Sequence, residues 1–165
     1  QRHYKNFTSM SWVYSCGAGA NYGTALESAL KIGETIHIPS CCYEIEEYIH
    51  GPNLQLTPQY NVIFFDGNDG ASRRVEQVYK ATRKVSNRAY LISNNPQLSS
   101  DDHVLSLSDT VSSEICPLVY LPFVQLLSFI VSNDLHSIYQ HPLLKEFKAI
   151  AAAKTENFVN YDGDD

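Results

Sequence analysis

The sequence predicts an α/β fold, a three-layer α/β/α sandwich built on a mainly parallel sheet. Three observations predict it. Continuous apolar runs with β-branched and aromatic residues recur along the chain, at Ser11 to Cys16, Asn61 to Asp66 and Ala89 to Ser93. Such runs mark strands buried on both faces. Turn residues and then a helical pattern follow the first two, which is the rhythm of strand-helix-strand units with helices on both faces. The chain has 165 residues, 44% of them hydrophobic and 18% charged, enough for one domain with its own core.

Taken in order, residues 1–10 read as the end of a linker or of a preceding segment, 11–153 as a single domain, and 154–165 as a C-terminal tail. Ser11 to Cys16 is the first buried strand, and Gly17-Ala18-Gly19-Ala20-Asn21-Tyr22-Gly23 a tight turn of small residues. A helix is expected from about Thr24 to Thr35, with Ala25, Leu26, Ala29, Leu30 and Ile32 as its apolar positions. Ile36 to Ile38 reads as a short strand stopped by Pro39. Ser40 then reads as the N-cap of a helix from Cys41 to Ile49, closed by a left-handed Gly51 and by Pro52. Asn61 to Asp66 is the clearest strand. The turn Gly67-Asn68-Asp69-Gly70 leads to a polar helix from Ser72 to Val85. Strands at Ala89 to Ser93 and Val104 to Leu107 follow. An apolar helix is expected from Pro117 to Asn133, and a shorter one from Leu143 to Ala153.

The net charge is −6 and no Lys/Arg run occurs, which argues against nucleic acid or an anionic membrane as the main partner. No stretch reads as a bilayer span, since Gln125 and Ser128 interrupt the longest apolar run, and the polar Gln1-Arg2-His3-Tyr4 does not read as a signal peptide. The first residue is Gln1, so the expectation is a piece of a longer or processed protein. Four cysteines, Cys16, Cys41, Cys42 and Cys116, form neither a zinc pattern nor a disulfide framework; free thiols in a cytoplasmic protein are expected.

The chemistry-bearing groups concentrate between Glu27 and Pro52. Glu27, Lys31 and Glu34 are spaced i, i+4, i+7, which places them on one helix face. A carboxylate on a helix that follows a strand and a glycine turn can act as a general base beside a carbonyl. The same spacing is that of a solvated ion-pair ladder, and spacing alone leaves both readings open. Glu47 and His50 are three apart near a helix C-terminus, where a protonated imidazole is favoured and a capping role is equally open. Two ligands without a third make a weak metal site. Gly17-x-Gly19-x-x-x-Gly23 can bring a ligand against backbone N–H groups, with Gly19 and Asn21 as contacts, or can be a plain turn; its spacing fails as a dinucleotide fingerprint. His136, His141 and the tyrosines at 48, 60, 79 and 90 read as helix-end or packing residues.

Ala25-Leu26-Glu27-Ser28-Ala29-Leu30-Lys31-Ile32-Gly33-Glu34, followed by Glu47-x-x-His50-Gly51-Pro52, resembles the second sugar isomerase (SIS) domain of glucosamine-6-phosphate synthase. It also resembles related phosphosugar isomerases and the deglycases that cleave fructosamine 6-phosphates. The resemblance runs over essentially the whole chain. It implies a flavodoxin-like, nucleotide-binding-type α/β fold and an enzyme domain acting on an amino-sugar or fructosamine 6-phosphate. The chemistry implied is ring opening and proton transfer between C1 and C2, with no metal and no organic cofactor. Glu34 would be the base. His50 would help to open the ring, reaching the site of a neighbouring subunit in a homodimer or higher assembly. Lys154, in Ala153-Lys154-Thr155, would close over the substrate, and Glu27, Lys31 and Glu47 would be polar site positions. The Ser/Thr-rich loop by which the family's first SIS domain holds phosphate is not evident, so the chain is expected to be one half of a two-domain enzyme. A phosphosugar-binding regulatory module without catalysis is the alternative.

Overall fold

A computed structural model describes residues 3–107, 111–137 and 150. Five parallel strands form one sheet in the order β2-β1-β3-β4-β5: β1 Val13–Gly17, β2 Ser40–Glu44, β3 Asn61–Asp66, β4 Ala89–Ser93 and β5 Val104–Ser106. The helices are α1 Tyr4–Thr8, α2 Asn21–Ile36, α3 Ile45–Ile49, α4 Ser72–Arg83 and α5 Cys116–Asp134. Two short 3-10 turns, Pro52–Gln55 and Pro96–Leu98, complete the described elements.

Alternation along the central strands divides the core in two. Val13, Ile63, Phe65 and Ile92 point to one face, where α2 and α5 cover them through Ala25, Ile32, Tyr120, Val124 and Val131. Tyr4 and Phe7 of α1 pack on this same cluster. Tyr14, Cys16, Val62, Phe64 and Leu91 point to the other face, covered by α3 and α4 through Ile45, Tyr48, Val75, Val78 and Tyr79. The three-layer sandwich is therefore as expected. Fully buried β1, β3 and β4 explain why those strands read as unbroken apolar runs.

Several local readings change. Helix α2 begins at Asn21, so Gly23 belongs to its first turn and only Gly17 to Ala20 connect it to β1. The second strand lies after Pro39, not before it: Ile36 ends α2, and His37 takes the left-handed C-cap with its N–H on the Gly33 carbonyl. Ser40 to Glu44 then pairs with β1, which displaces the helix expected from Cys41. The N-cap of α3 is Glu44, whose carboxylate accepts the Glu46 N–H at 2.6 Å. Gly51 is not left-handed; at φ 163° it is extended, and His50 closes α3. Cys41 and Cys42 are successive residues of β2, so one packs with the α3/α4 layer and the other with the α2/α5 layer. All four cysteines are free.

By length and composition α5, with 19 residues, is long and apolar enough to cross a membrane, contrary to the expectation for that stretch. Its inner side, Cys116, Tyr120, Val124, Ser128, Val131 and Ser132, is buried in this fold. Leu118, Leu126 and Phe129 remain exposed on its outer side, as do Leu26 and Leu30 on α2.

Candidate functional site

The chain winds from β1 to β2 on one side and returns to place β3 on the other side of β1. Helix α2, after β1, covers one face and α4, after β3, covers the other. The loops Gly17–Asn21 and Gly67–Ala71 therefore diverge at the carboxyl ends of neighbouring strands, the place where open α/β sheets bind ligands. Close approach dictates the residues here. A side chain at Gly17 would put its first carbon 2.3 Å from the Asn21 carbonyl oxygen, so the α2 N-terminus can lie this near β1 only with glycine. Gly19 has φ 55°, in the left-handed region, and Asp69 Oδ2 lies beside it. Asn21 is buried; its Oδ1 accepts the Thr24 hydroxyl at 3.0 Å, and its Nδ2 faces Gly67 without a hydrogen-bond acceptor. Below the crevice, Asp66 accepts the Ser93 hydroxyl at 2.7 Å and its carbonyl accepts the Tyr120 hydroxyl at 2.7 Å, which fixes the ends of β3 and β4. Burial, reinforced by Cys116, pushes the Tyr120 phenol well above its usual range.

The charged line on α2 is present. Lys31 Nζ donates to Glu34 Oε2 at 2.8 Å and approaches Glu27 Oε1 at 3.5 Å. The hydrogen bond to Glu34 chiefly raises the Lys31 pKa, against partial desolvation. These side chains are one-third to one-half exposed, at 32% for Lys31 and 49% for Glu34. The line is held by the buried side of the same helix, where Ser28 accepts the Ser15 hydroxyl at 2.8 Å and Ala25 and Ile32 enter the core.

The crevice and the charged line are apart. At 1.5 Å per residue, Glu34 stands about 20 Å along the helix from Asn21, in the last turn before His37. The strand-turn-helix context is expected to aim Glu34 at the ligand edge; instead Gly19 and Asn21 lie at that edge and Glu34 lies away from it. Glu34 instead lies where α2 meets the start of β2, and its neighbour Gly33 faces Ser40. His50 lies in the other layer. It is exposed at the end of α3, and its Nδ1 donates to the Glu46 carbonyl at 2.6 Å, which leaves Nε2 outward. Glu47 is exposed beside it. Edge strand β2 separates α2 from α3, so the chain does not assemble Glu34 and His50 into one cluster. Lys154, the helix expected from Leu143, and His141 lie outside the described residues.

One polar cluster had no signal in the sequence. His3, Asp102 and His103 each offer a ligand atom within 4.8 Å of the others, although nearly a hundred residues separate the first from the other two. His103 is buried, and that burial, with Arg83 and His3 nearby, lowers its pKa.

No family model matches the chain. Among curated proteins it is 30% identical over 131 residues to the isomerizing glutamine–fructose-6-phosphate aminotransferase of Methanothermobacter thermautotrophicus, covering 77% of this chain and 22% of that protein. It is 29% identical to the same-named protein of Idiomarina loihiensis, over 78% of this chain and 21% of that one. The chain thus spans about a fifth of the length of the curated relatives it matches. Among solved structures, the C-terminal domain of glucosamine-fructose-6-phosphate aminotransferase from Francisella tularensis superposes with a TM-score of 0.68 at 23% identity, over 80% of this chain and 38% of that one. Tagatose-6-phosphate ketose/aldose isomerase from Escherichia coli gives 0.68 at 17%, over 80% and 39%. The fold, the sequence relatives and the pair of motifs on α2 and α3 agree: the chain belongs to the sugar isomerase (SIS) domain family.

Proposed function

We propose that this chain is the catalytic-residue-bearing half of a two-SIS-domain enzyme that acts on an amino-sugar or fructosamine 6-phosphate. The observation that carries the reading is Glu34, held at 2.8 Å by Lys31 on the outward face of α2, in a chain whose sequence relatives are fructose-6-phosphate aminotransferases. Glu34 acts as the base that moves a proton between C1 and C2 of the opened sugar. His50, with Nδ1 engaged by a backbone carbonyl, presents Nε2 to the ring oxygen of substrate in a neighbouring subunit. The separation of the two residues by β2 supports that arrangement. Glu27, Lys31, Glu47 and the crevice residues Gly19 and Asn21 contribute polar contacts, and Lys154 closes from the tail. The chemistry needs a carboxylate and a second acid/base group; no metal or organic cofactor takes part in it.

The exposed leucines of α2 and α5, with Phe129, supply an apolar face suited to another SIS domain of the same assembly, at least a dimer. A cytoplasmic location suits a sugar-phosphate substrate. The test is Glu34→Gln in the full-length protein, with product analysis on a panel of 6-phosphates that separates isomerisation, amine transfer and deglycation. Loss of turnover with retained sugar-phosphate binding is expected. Unchanged turnover overturns the role of Glu34, and binding without any product from the wild type favours a regulatory module.

A further inference from the structure

The cluster of His3, Asp102 and His103 stands at the opposite edge of the sheet from the crevice. His103 immediately precedes β5, and Ala89, which it touches, begins β4, so both lie at the amino ends of parallel strands. His103 Nδ1 is 3.2 Å from the Ala89 carbonyl oxygen. A carbonyl only accepts, so Nδ1 carries the proton and Nε2 presents a lone pair. That pattern, an imidazole fixed by a backbone carbonyl behind it, is how proteins orient a histidine toward a metal. His103 Nε2 lies 3.8 Å from Asp102 Oδ1, and His3 Nε2 lies 3.5 Å from Asp102 Oδ2. Donors placed about 2.0–2.2 Å from a tetrahedral ion are themselves roughly 3.3–3.6 Å apart. One donor atom from each of the three residues lies within 4.8 Å of the others, so a closure of about 1 Å would enclose an ion. The supports are rigid: Asp101 accepts the His103 N–H at 3.0 Å and the Tyr79 hydroxyl at 2.8 Å, and Tyr90 stacks on His103.

We propose that His3, Asp102 and His103 bind a divalent first-row transition-metal ion of the zinc class, with the fourth position open to a neighbouring cavity. The two imidazoles and one carboxylate are the donor set that such an ion takes, and not one for calcium or magnesium, which take oxygen donors. His3 Nε2 donates to the Asp102 carbonyl at 3.1 Å. Binding moves that proton to Nδ1 and turns Nε2 to the ion, with no net proton released from the ring. The cavity encloses about 530 Å³ between α1, α5 and β4–β5, with Phe7, Tyr90, Leu105, Phe123 and Leu127 among its walls, and all three ligands line it. The ion would fasten α1 to the loop before β5 and close one end of that cavity.

The test uses the full chain, stripped with chelator and then titrated with Co²⁺ and Zn²⁺. One equivalent of Co²⁺ is expected to give the visible d–d bands of a four-coordinate site, and Zn²⁺ to raise the melting temperature. His3→Gln and Asp102→Asn change side chains near the surface, and circular dichroism checks that each variant folds. Each should weaken binding at least tenfold. Absence of the bands and of the shift in the wild type overturns the proposal. So do full binding in both variants and cobalt–thiolate charge-transfer bands, which would place the ion at a cysteine.

Discussion

Replacing Gly17 by alanine should damage the crevice through the backbone. The new carbon would lie 2.3 Å from the Asn21 carbonyl oxygen and 2.8 Å from the Asn21 carbonyl carbon, where ordinary contact begins at 3.4 Å. Relief requires the first turn of α2 to retreat by roughly 1 Å, and it cannot swing away as a side chain would. Ser28 on Ser15 and the packing of Ala25 and Ile32 hold that helix against β1. Overpacking of this kind costs typically 1–3 kcal/mol, and a backbone obstacle puts it at the upper end, about 3 kcal/mol. For a domain of this length each kcal/mol shifts the midpoint by about 2–4 °C, so the melting temperature should fall by roughly 10 °C. Two sister glycines calibrate the result. Gly19→Ala meets nothing closer than 3.5 Å but must hold φ 55°, which costs about 1 kcal/mol. Gly23→Ala meets nothing within 4 Å inside a helix and should stabilise by about 0.5–1 kcal/mol. Differential scanning calorimetry of the three variants is the assay. A Gly17→Ala protein that melts with the wild type, or a series in which Gly23→Ala is the worst, refutes the reasoning.

Lys31→Ala should cost less than about 0.5 kcal/mol of stability, because its two ion pairs are substantially exposed, yet under the role proposed for Glu34 it should lower turnover in the full-length protein; denaturant midpoint and rate measured together separate the two effects. Tyr120→Phe removes a buried donor from the Asp66 carbonyl and should destabilise by about 1–2 kcal/mol in urea unfolding. Phe64→Ala empties a fully buried site between Tyr48 and Tyr79 and should cost about 3–5 kcal/mol in urea unfolding. In a Cys41→Ser background, Cys42 should resist alkylation at pH 8. Burial pushes its thiol up to about 12, which leaves roughly one thiolate in 10⁴, and the rate should climb only as pH approaches that value; reaction at the rate of a free cysteine refutes this.

The central strands were legible because burial on both faces leaves an unbroken apolar run: Asn61 to Asp66 and Ala89 to Ser93 match in both boundaries. Strand β2 was not. It lies at the sheet edge, half-buried throughout, so Ser40 and Glu44 could replace apolar residues and imitate the start of a helix. Pro39 was read as the end of a strand, whereas its carbonyl accepts the Val13 N–H at the point where β2 begins. The spacing of Glu27, Lys31 and Glu34 correctly placed them on one line, since helix periodicity is local. What periodicity could not supply is distance from the ligand edge, which depends on how long α2 runs before His37 stops it. The His3–Asp102–His103 group was invisible for a different reason, because only the pairing of β4 with β5 and the docking of α1 bring such remote positions together.

The separation of the crevice from the charged line has a consequence for redesign. Helix α2 acts as a ruler, clamped along its length by the core, with adjustable loops at one end and a fixed carboxylate near the other. Residues 68–71 can be re-cut without altering the carboxylate's register, because the lengths of β1 and α2 set that register and the loop sequence does not. A library confined to those loops should therefore vary what the chassis admits while leaving Glu34 where it is.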